Sequence, residues 1–294
     1  MSKIVVALKG GLGNQLFGYA AGLALSQRLD AVLDLDIAAY EDPRERHYAL
    51  APFLLPEKIV RADTTIFARG SLQDRIWRRV KQRLGMKQAG LPVFRERGFK
   101  FDPDFKGLSA PVFLDGYFQS PRYFESCAPL MRTRLLAARD EVLSEASRAM
   151  LRQIQSCDAI CVHVRRGDYV TNPVSSRMHG LCGMSYYAEG LEAASEGLAA
   201  PHCFIFSDDP AWVRDNMRLQ YPWTVVDVNA EDAAHEDLWL MSACRSFVIA
   251  NSSLSWWGAW LGQHQAKRVV APLQWFRSQD KDTSDLIPAD WIRI

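Results

Sequence analysis

The sequence has few of the features that mark metal-binding, nucleic-acid-binding or membrane-spanning proteins. Its six cysteines form no CxxC pair, and no Cys/His cluster has zinc-finger spacing, which excludes the common structural zinc sites. The formal net charge of +1 leaves no overall basic field, so nucleic acid is not an expected partner. The fairly apolar decamer 16–25 is too short to span a bilayer. These absences predict a soluble, cytoplasmic protein with reduced cysteines, while peripheral contact with a membrane stays open.

Length and composition predict two globular domains. The 294 residues suffice for two domains of ordinary size, and 48% hydrophobic with 23% charged residues is a globular balance. No repeat or low-complexity linker marks the boundary, which we expect near residue 155, between domains 1–155 and 156–294. A cluster of five cations at 75–83 is expected to form the solvated face of a helix over 71–84.

Alternating apolar runs and helical segments predict a parallel α/β fold in both halves. In the first half we expect strands at 4–8, 31–35 and 111–118, a helix at 15–29, and largely helical structure at 121–155. In the second half, strands at 159–164, 203–206, 224–228, 247–249 and 269–271 alternate with helices at 185–198, 210–217, 231–244 and 254–263. This alternation predicts a parallel sheet covered on both faces, with ligands at the carboxyl ends of its strands.

The segment HVRRGDYV, residues 163–170, places two arginines at the end of a predicted strand. Arg165 and Arg166 can present forked, permanently charged donors to phosphate oxygens, and two such cations at the mouth of a sheet favour an anionic ligand. Gly167 lets the backbone turn closely, and Asp168 can orient an arginine or act as a base. The alternative interpretation is a structural ion pair at a domain seam.

The segment FIFSDDP, residues 204–210, follows the next strand in the same way. Ser207 or Asp208 can cap the following helix, and Pro210 suits its first turn. Capping accounts for one acidic residue, which leaves Asp208 or Asp209 to accept a hydrogen bond from a ligand. Capping and ligand contact are equally favoured here.

The segment NSSLSWWGAWL, residues 251–261, puts small polar residues where a strand gives way to a helix. Backbone N–H groups and the helix dipole at such a junction form a phosphate-sized anion site, which makes Asn251, Ser252 and Ser253 candidate ligands. The three tryptophans of the segment recur at helical spacing and are expected in the core.

Asp237 lies on the predicted helix that leads into this strand. A carboxylate there can accept two N–H bonds from a guanine edge, which adenine cannot supply. The alternative is a surface acid on an exposed helix face.

The glycine-rich segment KGGLGNQ, residues 9–15, stands between a predicted strand and a predicted helix. It lacks the G-x-G-x-x-G spacing of dinucleotide-binding proteins, which weakens an oxidoreductase interpretation. Gly11 belongs to the turn. Asn14 and Gln15, at the start of the helix, can cap it or reach toward a sugar or a phosphate.

Four segments in this order, KGGLGNQLFGYA, HVRRGDYV, FSDDP and NSSLSWWGAWL, resemble the bacterial α-1,2-fucosyltransferases, a family of inverting glycosyltransferases. They span almost the whole chain, which is more distantly similar to α-1,6- and protein O-fucosyltransferases. The visible departure is Gly18, where the family commonly has a glutamine. The resemblance implies a GT-B-type fold, with two Rossmann-like domains facing a cleft and the C-terminal domain binding GDP-fucose.

The resemblance also implies transfer of L-fucose from GDP-fucose to the 2-hydroxyl of a terminal galactose on a glycan, without a metal or cofactor. Consistent with this, no DxD motif stands on a loop suited to Mn²⁺. Arg165 and Arg166 would hold the pyrophosphate, and Asp168 would be the base or an orienting residue. Together with the motif chemistry, the resemblance gives a candidate donor site of Gly11, Asn14, Gln15, His163, Arg165, Arg166, Ser207, Asp208, Asp209, Asp237, Asn251, Ser252 and Ser253. The acceptor is expected to contact the stretch 40–111.

Two alternatives to this function remain. A fucosyltransferase of another linkage or acceptor class would share the donor site and differ in product linkage. A nucleotide- or sugar-binding module would bind GDP but would not release GDP when an acceptor is present.

Overall fold

The computed structural model describes residues 2–42, 46–61, 91–172, 176–177, 179–230, 232–278 and 281–294. The helix predicted at 71–84 and its five cations lie outside these ranges, as does the central part of the predicted acceptor-binding stretch.

A parallel sheet forms from the first part of the chain. Its strands are β1 (Lys3–Ala7), β2 (Val32–Asp36), β3 (Lys58–Val60), β4 (Val93–Arg95) and β5 (Val112–Asp115). They are arranged in the order β3-β2-β1-β5-β4, and every pairing is parallel. The predicted strands at 4–8, 31–35 and 111–118 are confirmed as β1, β2 and β5, whereas β3 and β4 were not predicted.

A second parallel sheet forms from the rest of the chain. Its strands are β6 (Asp158–Val164), β7 (Pro201–Ser207), β8 (Trp223–Val226), β9 (Ser246–Val248), β10 (Val269–Ala271) and β11 (Ile292–Arg293). Their order is β11-β10-β9-β6-β7-β8, again with parallel pairing throughout. The five strands predicted for this half are therefore confirmed, and β11 adds an edge.

The helices follow the predicted positions closely. They are α1 (Leu12–Leu29), α2 (Ala128–Ala137), α3 (Arg139–Val142), α4 (Glu145–Gln155), α5 (Gly167–Thr171), α6 (Met184–Ser195), α7 (Pro210–Asn216), α8 (Ala234–Ser242) and α9 (Ser253–Leu261). The stretch 121–155 is helical but divided, because Ser144 begins a new helix by accepting a hydrogen bond from the Ser147 backbone N–H at 3.2 Å.

Helices cover both faces of the second sheet, as its side-chain alternation shows. Ala159 and Cys161 of β6 pack into a core that also contains residues of the first sheet. Ile160, Val162 and Val164 pack into a separate core on the opposite face. Side chains of β6 with odd numbers therefore face the first half of the molecule, and those with even numbers face away from it.

Aromatic residues join the two halves. Phe17 of α1 packs against Trp256 and Trp257 of α9, with ring centroids 4.7 and 5.0 Å apart. These tryptophans are fully buried and Trp260 is 7% exposed, which confirms their predicted place in the core. The division at residue 155 stays a prediction, since α4 packs on both β6 and α8.

None of the helices in the described ranges combines the length and apolar composition that a membrane crossing requires.

Candidate active site

The register of two neighbouring strands brings the arginine pair and the aspartate pair together. Val164, the last residue of β6, lies opposite Ser207, the last residue of β7. The residues that follow each strand therefore meet at the carboxyl edge of the second sheet. Ser207 contributes to the turn, because its Oγ accepts a hydrogen bond from the Asp209 N–H at 3.0 Å.

Arg165 faces the interior of the molecule. Its Nη1 lies 3.0 Å from Oδ2 of Asp208, and its guanidinium carbon lies 5.4 Å from the centre of the Tyr169 ring. The side chain is 22% exposed. A guanidinium has five N–H donors in a planar fork, so this group can serve a carboxylate and a second oxyanion together.

Arg166 faces the opposite side of the sheet. Its Nε donates to Oδ2 of Asp209 at 3.3 Å, and its guanidinium stacks on Trp212 of α7 at 3.8 Å. Trp212 packs against the core of the outward face. The alternative interpretation, a structural ion pair, therefore describes Arg166 well. The two arginines were predicted to have the same role, but they lie on opposite sides of the sheet.

The two aspartates hold the edge in shape. Asp208 accepts from the Arg166 N–H at 2.8 Å, and Asp209 caps α7 by accepting from the Trp212 N–H at 3.1 Å. Gly167 allows this close approach, because a Cβ at that position would push the Asp208 carboxylate aside. Asp168 lies in α5, and its side chain is not among those described, so its role as the base stays a prediction.

His163 is 4% exposed on the inward face of β6. Burial and the nearby Arg165 lower the pKa of its imidazole to about 3, so the ring is neutral at physiological pH. Its Nδ1 has no hydrogen-bond partner among the described residues. His163 can therefore act as a neutral donor or acceptor beside Arg165, and it adds no charge.

The first and last predicted motifs meet where α1 and α9 begin. A Cβ on Gly13 would lie 2.6 Å from both the Leu254 nitrogen and the Ser253 Oγ, so only glycine allows the two helices to approach this closely. Trp257 Nε1 donates to the Gly13 carbonyl at 3.0 Å and fixes the contact.

Both helix starts are suited to an oxyanion. Gly11 and Ser252 occupy the N-cap positions, and within the described chain neither helix has a side-chain cap or an acidic residue in its first turn. Uncapped N–H groups and the positive ends of two helix dipoles therefore meet at one place.

The glycine turn before α1 is held by its neighbours. Gly10 has φ +65°, and its carbonyl accepts from Gln15 Nε2 at 3.0 Å and from Tyr40 OH at 3.0 Å. Gln15 is fully buried and also bonds His47 O and Ala49 N. Gln15, predicted to bind the donor, therefore shapes the turn.

Asn251, also predicted to bind the donor, is 4% exposed and donates its amide to the backbone carbonyls of His179 and Trp275. It organises the loop before α9. The backbone carbonyl of Asn251 accepts a hydrogen bond from Tyr169 OH at 3.0 Å. Tyr169, which the sequence did not single out, thus connects Arg165 to the start of α9.

Asp237 belongs to a different group, on α8. Its Oδ1 accepts from Asn229 Nδ2 at 2.7 Å, and Asn229 Oδ1 accepts from Ser147 Oγ at 2.7 Å. Burial raises the pKa of Asp237 to about 6, so it is not the surface acid of the alternative interpretation. Asn229 comes just after the strand predicted at 224–228, as Asp208 comes just after β7. Its position after a predicted strand could therefore have marked Asn229 as a candidate site residue.

A polar groove of about 540 Å³ lies where the two halves meet. It is lined by Arg97, Gly98, Phe99, Lys100, Phe101, Asp102, Pro103, Lys281 and Asp282. Arg97 Nε donates to Asp102 at 2.8 Å, and Lys100 lies 3.4 Å from Asp282. Its volume is in the range of ligand-binding pockets.

A chain of aromatic ring contacts connects this groove to the sheet edge. Phe99 packs on Phe276 at 4.7 Å, Phe276 on His179 at 5.1 Å, and His179 on Tyr169 at 4.5 Å. Since Tyr169 lies under Arg165, a chain of contacts between buried and half-buried rings links the groove to the arginine edge. Within the described residues, no group of three or more His, Cys, Asp or Glu side chains could hold a metal ion.

Two parallel sheets, with the starts of α1 and α9 meeting between them, form an α/β architecture of the GT-B type, as predicted. A structure of an Arabidopsis thaliana FUT1 mutant in complex with GDP shares this fold, with a TM-score of 0.51 at 11% identity over 95% of this chain and 72% of that chain.

Sequence comparison gives the family. The model of glycosyl transferase family 11 matches residues 2–294, and the chain belongs to that family. The chain is 28% identical over its full length to an alpha-1,2-colitosyltransferase of Escherichia coli, of which the match covers 99%. It is 30% identical over 175 residues to a galactoside 2-alpha-L-fucosyltransferase of Caenorhabditis elegans, covering 55% of this chain and 46% of that protein.

Proposed function

We propose that this glycosyltransferase transfers L-fucose from GDP-fucose to the 2-hydroxyl of a terminal galactose on a glycan, with inversion at the anomeric carbon. The observation that carries the proposal is the meeting of two uncapped helix starts, at Gly11 and Ser252, which Tyr169 links to Arg165. A diphosphate needs such a concentration of donors and positive charge, because it carries several negative charges in a small volume.

Arg165 is the cation that we assign to the leaving group. As the bond from the anomeric carbon to the β-phosphate oxygen breaks, negative charge grows on the diphosphate. Arg165 and the N–H groups of α1 and α9 stabilise that charge without rearranging. The acceptor hydroxyl forms the new bond from the opposite side, and its proton passes to a base, for which Asp168 remains our candidate.

The mechanism uses no metal ion. Fixed cations replace it, so we expect turnover to be insensitive to EDTA.

Asp237 is our candidate for guanine recognition. It is held by Asn229, and an ionised carboxylate accepts the two N–H groups of a guanine edge. Adenine offers no matching pair of donors, which would account for a preference for GDP.

We place the acceptor in the polar groove between 97–103 and 281–282. Exposed charged groups such as Arg97 and Lys100 suit sugar hydroxyls, and the chain of ring contacts leads from the groove to Arg165. An acceptor bound there would present its terminal sugar toward the diphosphate.

A second donor is favoured by one observation. One full-length relative from Escherichia coli is named a colitosyltransferase, and colitose is fucose without its 3-hydroxyl. A competition assay between GDP-fucose and GDP-colitose would show which donor the protein prefers. Linkage analysis of the product on a β-galactoside would show which hydroxyl accepts the sugar.

The test of the proposal is GDP release by the purified protein with GDP-fucose, with and without a β-galactoside. Arg165→Ala should lower kcat about 10²–10³-fold, as loss of a fixed donor to the transition state does. The matched variant Arg166→Ala should stay within about tenfold of wild type, because Arg166 faces Trp212. GDP binding without acceptor-stimulated release would instead indicate a binding module, and an equal loss in both variants would refute the assignment of Arg165.

A further inference from the structure

Gln119 lies just after the carboxyl end of β5, where the first sheet faces the start of α1. The backbone before it is tightly turned, with φ +52° at Phe118 and a 2.8 Å hydrogen bond from the Ser120 N–H to the Phe118 carbonyl. Ser120 Oγ then donates to the Asp285 carbonyl at 3.2 Å, which ties the turn to the second half of the chain. Gln119 is therefore held in place from both sides.

The Gln119 side chain makes one polar contact and leaves another unmade. It is 7% exposed, and its Nε2 donates to Oδ1 of Asn14 at 2.7 Å. Its Oε1 is buried without a hydrogen-bond partner in the described structure. A buried carbonyl without a partner destabilises a fold, so stability alone does not explain a glutamine here.

We propose that Gln119 is a positioning residue that sets the orientation of the Asn14 amide toward the donor diphosphate. The proposal rests on the proposed function. Because Gln119 donates to Asn14 Oδ1, the other end of the Asn14 amide, Nδ2, points away from Gln119. That nitrogen lies over Gly10, where an added Cβ would come within 2.7 Å of it. Asn14 therefore directs two N–H donors to the place where α1 begins.

Without Gln119 the Asn14 amide can rotate. The rotated amide would turn a carbonyl oxygen toward the diphosphate and repel it, in place of a hydrogen bond. The glutamine thus exchanges some stability for a fixed donor at the anion site, as residues of functional sites commonly do.

A double-mutant cycle on GDP binding tests this. Isothermal calorimetry would measure the Kd for GDP of wild type, Gln119→Met, Asn14→Ala and the double variant. We expect each single variant to bind GDP about 10–100-fold more weakly, and the double variant to bind no more weakly than Asn14→Ala alone. Gln119→Met should keep or raise the Tm, because it removes the unpartnered carbonyl. Gln153→Met on the exposed side of α4 is the control and should change neither quantity.

Each outcome separates the possibilities. If the two losses add, or if Gln119→Met binds GDP like wild type, Gln119 does not act through Asn14 and the proposal is overturned. Gln119→Glu is a second test of the same contact, because a carboxylate cannot donate to Asn14 Oδ1. This variant should weaken GDP binding at least as much as Gln119→Met does. A wild type that binds GDP but does not transfer fucose overturns the proposed function and leaves the cycle readable. A wild type without affinity for GDP overturns both.

Discussion

Replacing Gly13 by alanine probes the contact on which the proposed diphosphate site depends. The added methyl group would lie 2.6 Å from the Leu254 nitrogen and 2.6 Å from the Ser253 Oγ. Ordinary contacts between non-bonded heavy atoms are about 3.5–4.0 Å, so the overlap is roughly 1 Å. Two of the three nearest atoms, including the closest, the Ser253 carbonyl carbon, belong to the backbone. Backbone cannot rotate aside, so the starts of α1 and α9 must move apart by a comparable distance.

That displacement sets the expected magnitudes. Overpacking of this kind destabilises a protein by about 1–3 kcal/mol, which lowers the Tm by several degrees. Its effect on turnover should be larger, because a shift of about 1 Å in a catalytic site can lower the rate about 10²-fold. We therefore expect Gly13→Ala to lose GDP-release activity far beyond its loss of stability.

Gly18→Ala is the matched control on the same helix. A methyl group there would meet Leu8 Cδ2 at 3.5 Å and Val6 Cγ2 at 3.7 Å, which are ordinary contacts. Alanine is also the better helix former, so Gly18→Ala should gain about 0.5–1 kcal/mol without loss of activity. Thermal unfolding and GDP release measured on both variants decide the matter. A Gly13→Ala protein with wild-type kcat would show that the approach of the two helices does not matter for the reaction.

Three further outcomes follow from the site. Asp237 must be ionised to accept from guanine, and its pKa is raised to about 6, so its contribution to GDP affinity should fall about tenfold per unit below pH 6. Calorimetry at several pH values should show a weaker pH dependence for Asp237→Asn, limited to the part that protonation of the GDP β-phosphate contributes. Gly167→Ala should displace the Asp208 carboxylate and lower kcat with little change in the Tm, whereas equal kcat would contradict the importance of that contact. Arg97→Ala should raise the KM for the glycan and leave the Kd for GDP unchanged if the polar groove holds the acceptor, and a change confined to GDP binding would count against that placement.

The sequence predicts most of the second sheet because those strands are apolar and separated by clear helices, and even the three-residue strands β9 and β10 are fully buried. Six of the seven residues of β6 are buried, as are residues 203–206 in the middle of β7, so composition alone marks them. The strands β3, β4 and β11 have two or three residues each and mixed exposure. They form only because a longer neighbour pairs with them, and local periodicity cannot reveal that.

The sequence predicted which motifs form the candidate site, but it did not predict which residues of each motif face the site and which hold the backbone in place. Arg165 and Arg166 are adjacent and identical in type, and only the alternation of β6 separates the inward from the outward one. Gln15 and Asn251 carry amides typical of ligand contacts, yet both are buried and bonded to backbone. Gln119 was missed because its partner, Asn14, is more than a hundred residues away in sequence.

The aromatic packing of α1 against α9 has a consequence for how substrates enter. Phe17, Phe124, Trp256 and Trp257 are fully buried against one another across the two halves. Each such ring buries about 150–250 Å², worth roughly 4–6 kcal/mol, and exposing about half of that area on each of the four rings would already require roughly 8–12 kcal/mol. Opening by rigid swinging of the two halves is thus strongly disfavoured. The contact between α1 and α9 should therefore stay intact during turnover. Nucleotide and sugar should enter and leave through rearrangement of surface loops.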